Sequence, residues 1–249
     1  MGALSVFSKQ YHVDYGDSDY YKKLKLSSLF NYLQDVASLH SESLGIGIND
    51  ISKKYGVAWV IVRILVMVER MPEWKEDILI ETWPNEPKKL EFERNFLVKD
   101  SEGKVLVRAI SSWVIMSLEE REIKKTELIE YNNPPFLQEK AINQRMSKLK
   151  PRGELEIVYK KRIGYSDIDI NGHLNNSKYI DYIMDCFSLE QHGKYGVESI
   201  QVSYISEAVA GDTIIFYRDI SELKVGCIYI EGVNETNDKV YFKAFVTIV

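Results

Sequence analysis

The sequence predicts an α+β protein built from one plan used twice, a long helix followed by antiparallel strands. Three observations predict it. The stretch "YGDSDYYKKLKLSSLFNYLQD", residues 15–35, aligns without a gap on "YSDIDINGHLNNSKYIDYIMD", residues 165–185, with seven identities over 21 positions. In each copy the apolar residues pass from helical spacing into runs of strand character. Between the copies lies a polar stretch, 131–154, that holds three of the six prolines. A long duplicated unit implies two modules of one topology, and 249 residues suffice for each to bury its own core.

Each copy opens with a short strand and an Asp-bearing turn. In the first, Ser27 or Ser28 caps the helix, and Leu29, Leu33, Val36 and Ala37 share one face. Strands follow over 57–69, 77–83, 89–99 and 104–117, parted by the turn sequences "MPEW", "PNEP" and "DSEGK". The run "VAWVIVRILVMV" is broken by Arg63 and falls well short of the roughly 20 residues of a membrane helix, so it reads as a buried strand. In the second copy Asn175 or Asn176 is the cap, and Tyr179, Ile180, Ile183, Met184 and Phe187 form a wide aromatic stripe. Strands follow over 199–206, 213–222, 226–234 and 239–249, with turns at "AVAGD" and "NETND". The expected domains are 1–130 and 155–249, joined by a linker over 131–154.

Composition, with 45% apolar and 28% charged residues, is that of a globular protein. A net charge of −5 argues against general nucleic-acid binding. Neither Cys186 nor Cys227 lies in a metal-ligand spacing, so no metal is expected. Two thiols fit a reducing cytoplasm, and Cys186 falls in the apolar register of its helix, as a buried small hydrophobe would. "MGALSVFSKQ" lacks the basic start and apolar core of a secretory signal, and Val6 departs from the myristoylation pattern. A cytoplasmic protein without a membrane anchor is expected.

The differences between the copies point to chemistry. Where the second has Asn171 and His173, the first has Tyr21 and Lys23. One copy reads as reactive and the other as scaffold. Asp167 matches Asp17, so it reads as a loop-fixing group. Taken alone, Asp169 reads as an Asx turn or cap, Glu207 as a solvated strand-end charge, and Asp212 as a turn residue. His12, His40 and His192 have no partner pattern and read as structural.

The strand, Asp-bearing loop and helix, together with "DINGHLNN" and the later "SYISEAVAGD", resemble the acyl-acyl-carrier-protein thioesterases of plants and bacteria. "WVIVRILVMVERMPEWKEDILIETW" and "RNFLVKDSEGKVLVRAISSWVIMS" are similar to the N-terminal half of that family, so the resemblance spans nearly the whole chain. It implies two tandem hotdog modules, each a long helix wrapped by an antiparallel sheet. It implies a catalytic set of Asp169, Asn171, His173 and Glu207. In many plant members a Cys follows the Glu; here Ala208 follows, which favours attack by water over a thiol nucleophile. Acyl-chain binding is implied for the N-terminal module, with Leu29, Leu33, Val57, Trp59 and Ile61 as candidate lining residues.

The implied activity is hydrolysis of an acyl-carrier-protein thioester to a free fatty acid and the holo-carrier, in fatty acid biosynthesis. A thiol leaves readily, its reference pKa being about 8.5, so the remaining needs are an activated water and a site for the oxyanion. Glu207 or Asp169 would activate the water, with Asn171 and His173 positioning it or the carbonyl. Unpaired N–H groups at the helix start would receive the oxyanion. The partner would be acyl carrier protein with its phosphopantetheine-linked acyl chain. Being acidic, it would dock at Lys148, Lys150, Arg152, Lys160, Lys161 and Arg162. No cofactor is implied. The alternatives are an acyl-coenzyme A thioesterase of the same fold and a non-catalytic acyl-thioester-binding protein. Either a monomer, as an internal pseudo-dimer, or a homodimer fits.

Overall fold

The computed structural model describes residues 5–130 and 135–249. Its contacts divide the chain into two compact units, the first made of 1–24 and 31–145, the second of 25–30 and 146–249. The first four residues of the expected linker, 131–134, lie outside the described residues.

In the first half β1 (Phe7–His12) leads through a short 3-10 turn into α1 (Leu26–Ser43), whose residues 26–30 group with the second unit, and α2 (Ile48–Tyr55). Strands β2 (Val57–Val68), β3 (Asp77–Pro84), β4 (Phe92–Lys99) and β5 (Val105–Ser117) follow, with β6 (Ile123–Lys124) paired on β5. The sheet order is β1-β3-β4-β5-β2, with every pairing antiparallel. The second unit repeats this order. β7 (Glu156–Arg162) leads to α3 (Asn176–Met184) and α4 (Leu189–Lys194), and then come β8 (Val197–Tyr204), β9 (Thr213–Asp219), β10 (Cys227–Asn234) and β11 (Val240–Ile248). Its order is β7-β9-β10-β11-β8, again antiparallel throughout. The duplication seen in 21 residues thus extends over both whole sheets.

The helices depart from expectation in two places. α1 begins at Leu26, so Ser27 and Ser28 lie inside its first turn, both buried, and neither is the cap. The C=O of Lys25 accepts the Leu29 N–H and starts the ladder two or three residues earlier than the serines suggested. The second helix is also interrupted: α3 ends at Met184, leaving Phe187 beyond it. Ser188 explains the break. Its hydroxyl accepts the Gln191 N–H at 3.2 Å, and its own N–H donates to Gln191 Oε1 at 2.8 Å, a capping box that opens α4.

The second unit's core is aromatic. Tyr159 stacks on Phe216 with centroids 4.6 Å apart, and Tyr179 meets Phe242 edge-on at 5.4 Å. Gly232 lies opposite Phe242 in the β10–β11 register, and a Cβ there would fall 2.2 Å from the Phe242 ring. No side chain fits without moving that ring. Gly232→Ala should therefore destabilise the protein by about 2 kcal/mol, read as a lower midpoint in denaturant unfolding with an unchanged slope.

The stretch after residue 134 carries no helix or strand up to β7, but its backbone is held. Trp83 Nε1 donates to Glu139 C=O, Asn85 Nδ2 to Leu137 C=O, and the Ala141 N–H donates to Asn95 Oδ1 at 3.0 Å. Further on, Gln201 exchanges hydrogen bonds with Ser147, and Asp219 accepts the N–H groups of Arg152 and Gly153. Buried polar side chains on the strands need partners, and this irregular chain supplies them.

Candidate active site

The loop before α3 is a closed knot. A 3-10 turn, Tyr165–Asp167, precedes a bridge between Ile168 and Leu174. The Asp169 N–H donates to His173 C=O at 2.8 Å, and Asp169 Oδ1 accepts the Asn171 N–H at 2.8 Å and the His173 N–H at 3.4 Å. Gly172, at φ +79°, makes the reversal, a conformation that Gly adopts without a Cβ penalty. Asp167 is buried and accepts the Gly164 N–H at 2.8 Å. Burial opposes its ionisation, but that hydrogen bond and the nearby Lys161 and Lys178 hold it below the ordinary carboxylate range. It fixes the loop, as its match to Asp17 suggests.

The turn after β8 is stitched to this loop. The Leu174 N–H donates to Ala208 C=O at 2.9 Å, the Ile163 N–H to Asp212 C=O at 2.8 Å, and the Gly211 N–H to Ile163 C=O at 3.0 Å. These bonds set neighbours of Leu174 and Ala208 face to face. His173 Nε2 lies 3.4 Å from Glu207 Oε2, with both side chains about one-third exposed. Two residues 34 positions apart, singled out in sequence, thus meet at the surface of one unit. Asp169 stands at the base of the same loop. Asn171 is exposed beside it, its Nδ2 3.4 Å from Asp169 Oδ2.

The first unit repeats the bonds that join this loop to the turn and those that its aspartate accepts. The Leu24 N–H donates to Pro72 C=O, the Val13 N–H to Glu76 C=O and the Lys75 N–H to Val13 C=O. Asp19 Oδ1 accepts the N–H groups of Tyr21 and Lys23 as Asp169 does those of Asn171 and His173. Pro72 therefore stands where Ala208 does, and Met71 where Glu207 does. The first loop keeps its structural aspartate and has replaced the other three groups, by Tyr21, Lys23 and Met71. The Glu207–Met71 difference escaped the sequence comparison because it lies outside the aligned 21 residues.

The helix cap consumes most of the donors expected at the start of α3. The Asn175 N–H goes to Asp167 C=O, that of Ser177 to Asn175 Oδ1, and that of Lys178 to Asn175 C=O. The Asn176 N–H makes no hydrogen bond within the described residues. Burial works against the thiolate form at both cysteines. Cys186 is buried and its thiol is pushed up to about 12 by burial, while the Cys227 thiol, also raised by burial, lies at the start of β10.

Of the five apolar candidates in the N-terminal module, Val57 and Trp59 join one cluster with Leu44, Ile51 and Phe92. Leu29, Leu33 and Ile61 are buried outside that cluster. Of the six basic candidates, Arg152 pairs with Glu222 at 2.5 Å, Lys160 pairs with Glu235 at 2.7 Å, and Lys161 sits over the Tyr182 ring. Lys148, Lys150 and Arg162 are exposed and have no ion pair among the described residues. No helix among the described residues is long and apolar enough to cross a membrane.

Residues 4–129 match the family model of the acyl-ACP thioesterase N-terminal domain, and 152–245 match that of the C-terminal domain. A chloroplastic palmitoyl-acyl carrier protein thioesterase of Gossypium hirsutum is 28% identical over 216 residues, 81% of this chain and 52% of the relative. A chloroplastic oleoyl-acyl carrier protein thioesterase of Arabidopsis thaliana is 27% identical over 210 residues, 78% and 58% of the two chains. The chain spans about half the length of the curated relatives it matches. An acyl-ACP thioesterase of Bacteroides thetaiotaomicron superposes with a TM-score of 0.85 at 26% identity, covering 98% of both chains. The 12:0-ACP thioesterase from Umbellularia californica gives a TM-score of 0.81 at 19% identity over 99% of this chain and 98% of its own, a likeness of fold. With both domain models matched in order, the chain belongs to the acyl-ACP thioesterase family and has its α+β double-hotdog fold.

Proposed function

We propose that the protein hydrolyses acyl-acyl-carrier-protein thioesters to free fatty acid and holo-carrier in fatty acid biosynthesis. The observation that carries the reading is the approach of His173 to Glu207, 3.4 Å apart, in the unit that matches the family's C-terminal domain. Glu207 takes a proton from water as the water attacks the thioester carbonyl. Such a base contributes about 10²–10⁴-fold. His173 orients that carboxylate and the water, and exposed Asn171 contacts the carbonyl or the water. Asp169 is spent on the loop, because Asp19 makes the same bonds in a copy without the other groups. This favours Glu207 over Asp169 as the base. The Asn176 N–H, at the positive end of α3, receives the oxyanion, where one donor is worth roughly 3 kcal/mol. The tetrahedral adduct collapses with loss of the pantetheine thiolate, and the proton held by Glu207 returns to it through solvent.

The domains follow the repeat: 1–130 binds the acyl chain, 131–154 joins the modules, and 155–249 carries the reaction. Leu29, Leu33, Val57, Trp59 and Ile61 are the lining candidates. The acidic carrier docks on the exposed cations Lys148, Lys150 and Arg162. The reaction needs no cofactor, the site of action is the cytoplasm, and the protein works as a monomer or homodimer.

The test is release of free thiol from matched acyl chains on carrier protein and on coenzyme A. A kcat/KM at least about tenfold higher on the carrier, reduced toward the coenzyme A value by Lys148→Glu/Arg162→Glu, is expected if the patch contributes a charge-dependent encounter. Equal rates on both carriers would favour the acyl-coenzyme A enzyme. Tight binding without thiol release would favour a binding protein.

A further inference from the structure

We infer that Tyr241 is a positioning residue for Glu207, acting through its hydrogen bond to Asp212. The inference rests on the proposed role of Glu207. That residue lies in the irregular segment 205–212 between β8 and β9, outside any strand ladder, so other bonds must fix it. Tyr241 holds both ends of the segment. At one end its C=O accepts the N–H groups of Ile205 and Ser206, at 2.8 and 3.1 Å. At the other, its hydroxyl donates to Asp212 Oδ2 at 2.7 Å, the same oxygen that accepts the Val209 N–H at 2.9 Å and closes the turn. Asn234 Nδ2 donates to the hydroxyl at 2.5 Å and orients its proton toward Asp212. Tyr241 and Asn234 are buried, at 2% and 4% exposure. Burial, with Asp212 adding to it, pushes the phenol up to about 12, so the hydroxyl stays a donor at neutral pH.

The internal repeat supplies the comparison. In the first unit Leu106 C=O accepts the N–H groups of Glu69 and Arg70, at 2.9 and 3.1 Å, so Leu106 stands where Tyr241 does. Glu76 stands where Asp212 does, accepting the Glu73 N–H at 2.8 Å. The backbone hold survives there. The hydroxyl hold is gone, and Glu76 pairs with Arg70 at 2.6 Å instead. The turn therefore folds without a tyrosine. The tyrosine–carboxylate pair occurs in the copy that has Glu207 and is missing where Met71 replaces it.

Steady-state thiol release and thermal melts would be measured for Tyr241→Phe, Asp212→Ala, Asp212→Asn, the Tyr241→Phe/Asp212→Ala pair and Glu207→Ala. Loosening a reacting group by even about 1 Å can cost up to about 100-fold. Tyr241→Phe should lower kcat about tenfold with KM changed less than about twofold. Asp212→Asn, whose side-chain oxygen can accept both bonds, should recover most of the kcat lost in Asp212→Ala. In the Asp212→Ala background Tyr241→Phe should have no further effect, the non-additivity expected of one chain of contacts. A wild-type kcat in Tyr241→Phe, with only the melting temperature lowered, would overturn the inference, as would losses that multiply in the double variant. If Glu207→Ala abolishes turnover while Tyr241→Phe keeps the wild-type kcat, the inference fails alone. If Glu207→Ala keeps wild-type kcat, the proposed site fails and takes the inference with it.

Discussion

Replacing Glu207 by Gln should lower kcat on an acyl-carrier-protein thioester by about 10²–10⁴-fold, the range a positioned general base supplies. The amide keeps the size and the hydrogen-bonding capacity toward His173 and loses the basic oxygen. KM should change little, because the base acts in the transition state and binds no ground-state group. Stability should also change little, since the side chain is about one-third exposed and its contact with His173 is solvated. Asp169→Asn makes the informative contrast. Its Oδ1 serves two backbone N–H groups, a service that an amide oxygen can still perform. If Glu207 is the base, Asp169→Asn should retain far more activity than Glu207→Gln. The reverse ranking would move the base to Asp169.

The largest expected effect on stability lies at Asp219, at the end of β9. Its carboxylate is 4% exposed and accepts the N–H groups of Arg152 at 2.8 Å, Gly153 at 2.7 Å and Ser221 at 2.8 Å. Gly153 is part of the cradle, because a Cβ there would lie 2.6 Å from Ser221 Cβ. Asp219→Ala would strand these N–H groups without an acceptor, at about 1–3 kcal/mol for each that water cannot reach. A loss of about 3 kcal/mol or more in denaturant unfolding is expected. Burial alone would raise the carboxyl pKa, but the hydrogen bonds from Ser221, Gly153 and Arg152 outweigh it and hold the group at about 2. A depressed carboxylate stabilises the fold above its unfolded value, near about 4, and loses that contribution as pH falls through about 2. The expected difference is roughly 2 kcal/mol between those limits. Asp219→Asn should remove that part of the acid limb, and an unchanged acid limb would refute the assignment.

The strands were legible in the sequence because each is bounded by strong turn chemistry. "DSEGK" and "NETND" place the ends of β4, β5, β10 and β11 to within a residue or two. The helix boundaries were less legible. "SLEQ" at 188–191 is a capping box that announces α4, but the aromatic stripe running on to Phe187 masks the break. The serines of α1 mislead in the opposite way: good cap residues sit inside a helix whose first turn is buried. At the site, the loop residues stood out because one copy could be compared with the other over an ungapped stretch. Tyr241 carried no such signal. It sits in an ordinary strand run, and its partner Asp212 is 29 positions away. Only the pairing of β11 with β8, together with the matching Leu106 in the first unit, shows what it holds. The basic candidates show the opposite limit: six basic residues look alike in sequence, and three are engaged by the protein itself.

The central claim is that one copy of the duplicated loop performs the reaction and the other only folds. The most direct measurement is thiol release from an acyl-carrier-protein thioester by the wild type, His173→Ala and Lys23→Ala, residues that occupy the same place in the two loops. The account predicts release by the wild type, a loss of at least about 100-fold in His173→Ala, and a rate within about twofold of wild type in Lys23→Ala. Equal losses in the two variants, or a loss in Lys23→Ala alone, would contradict it.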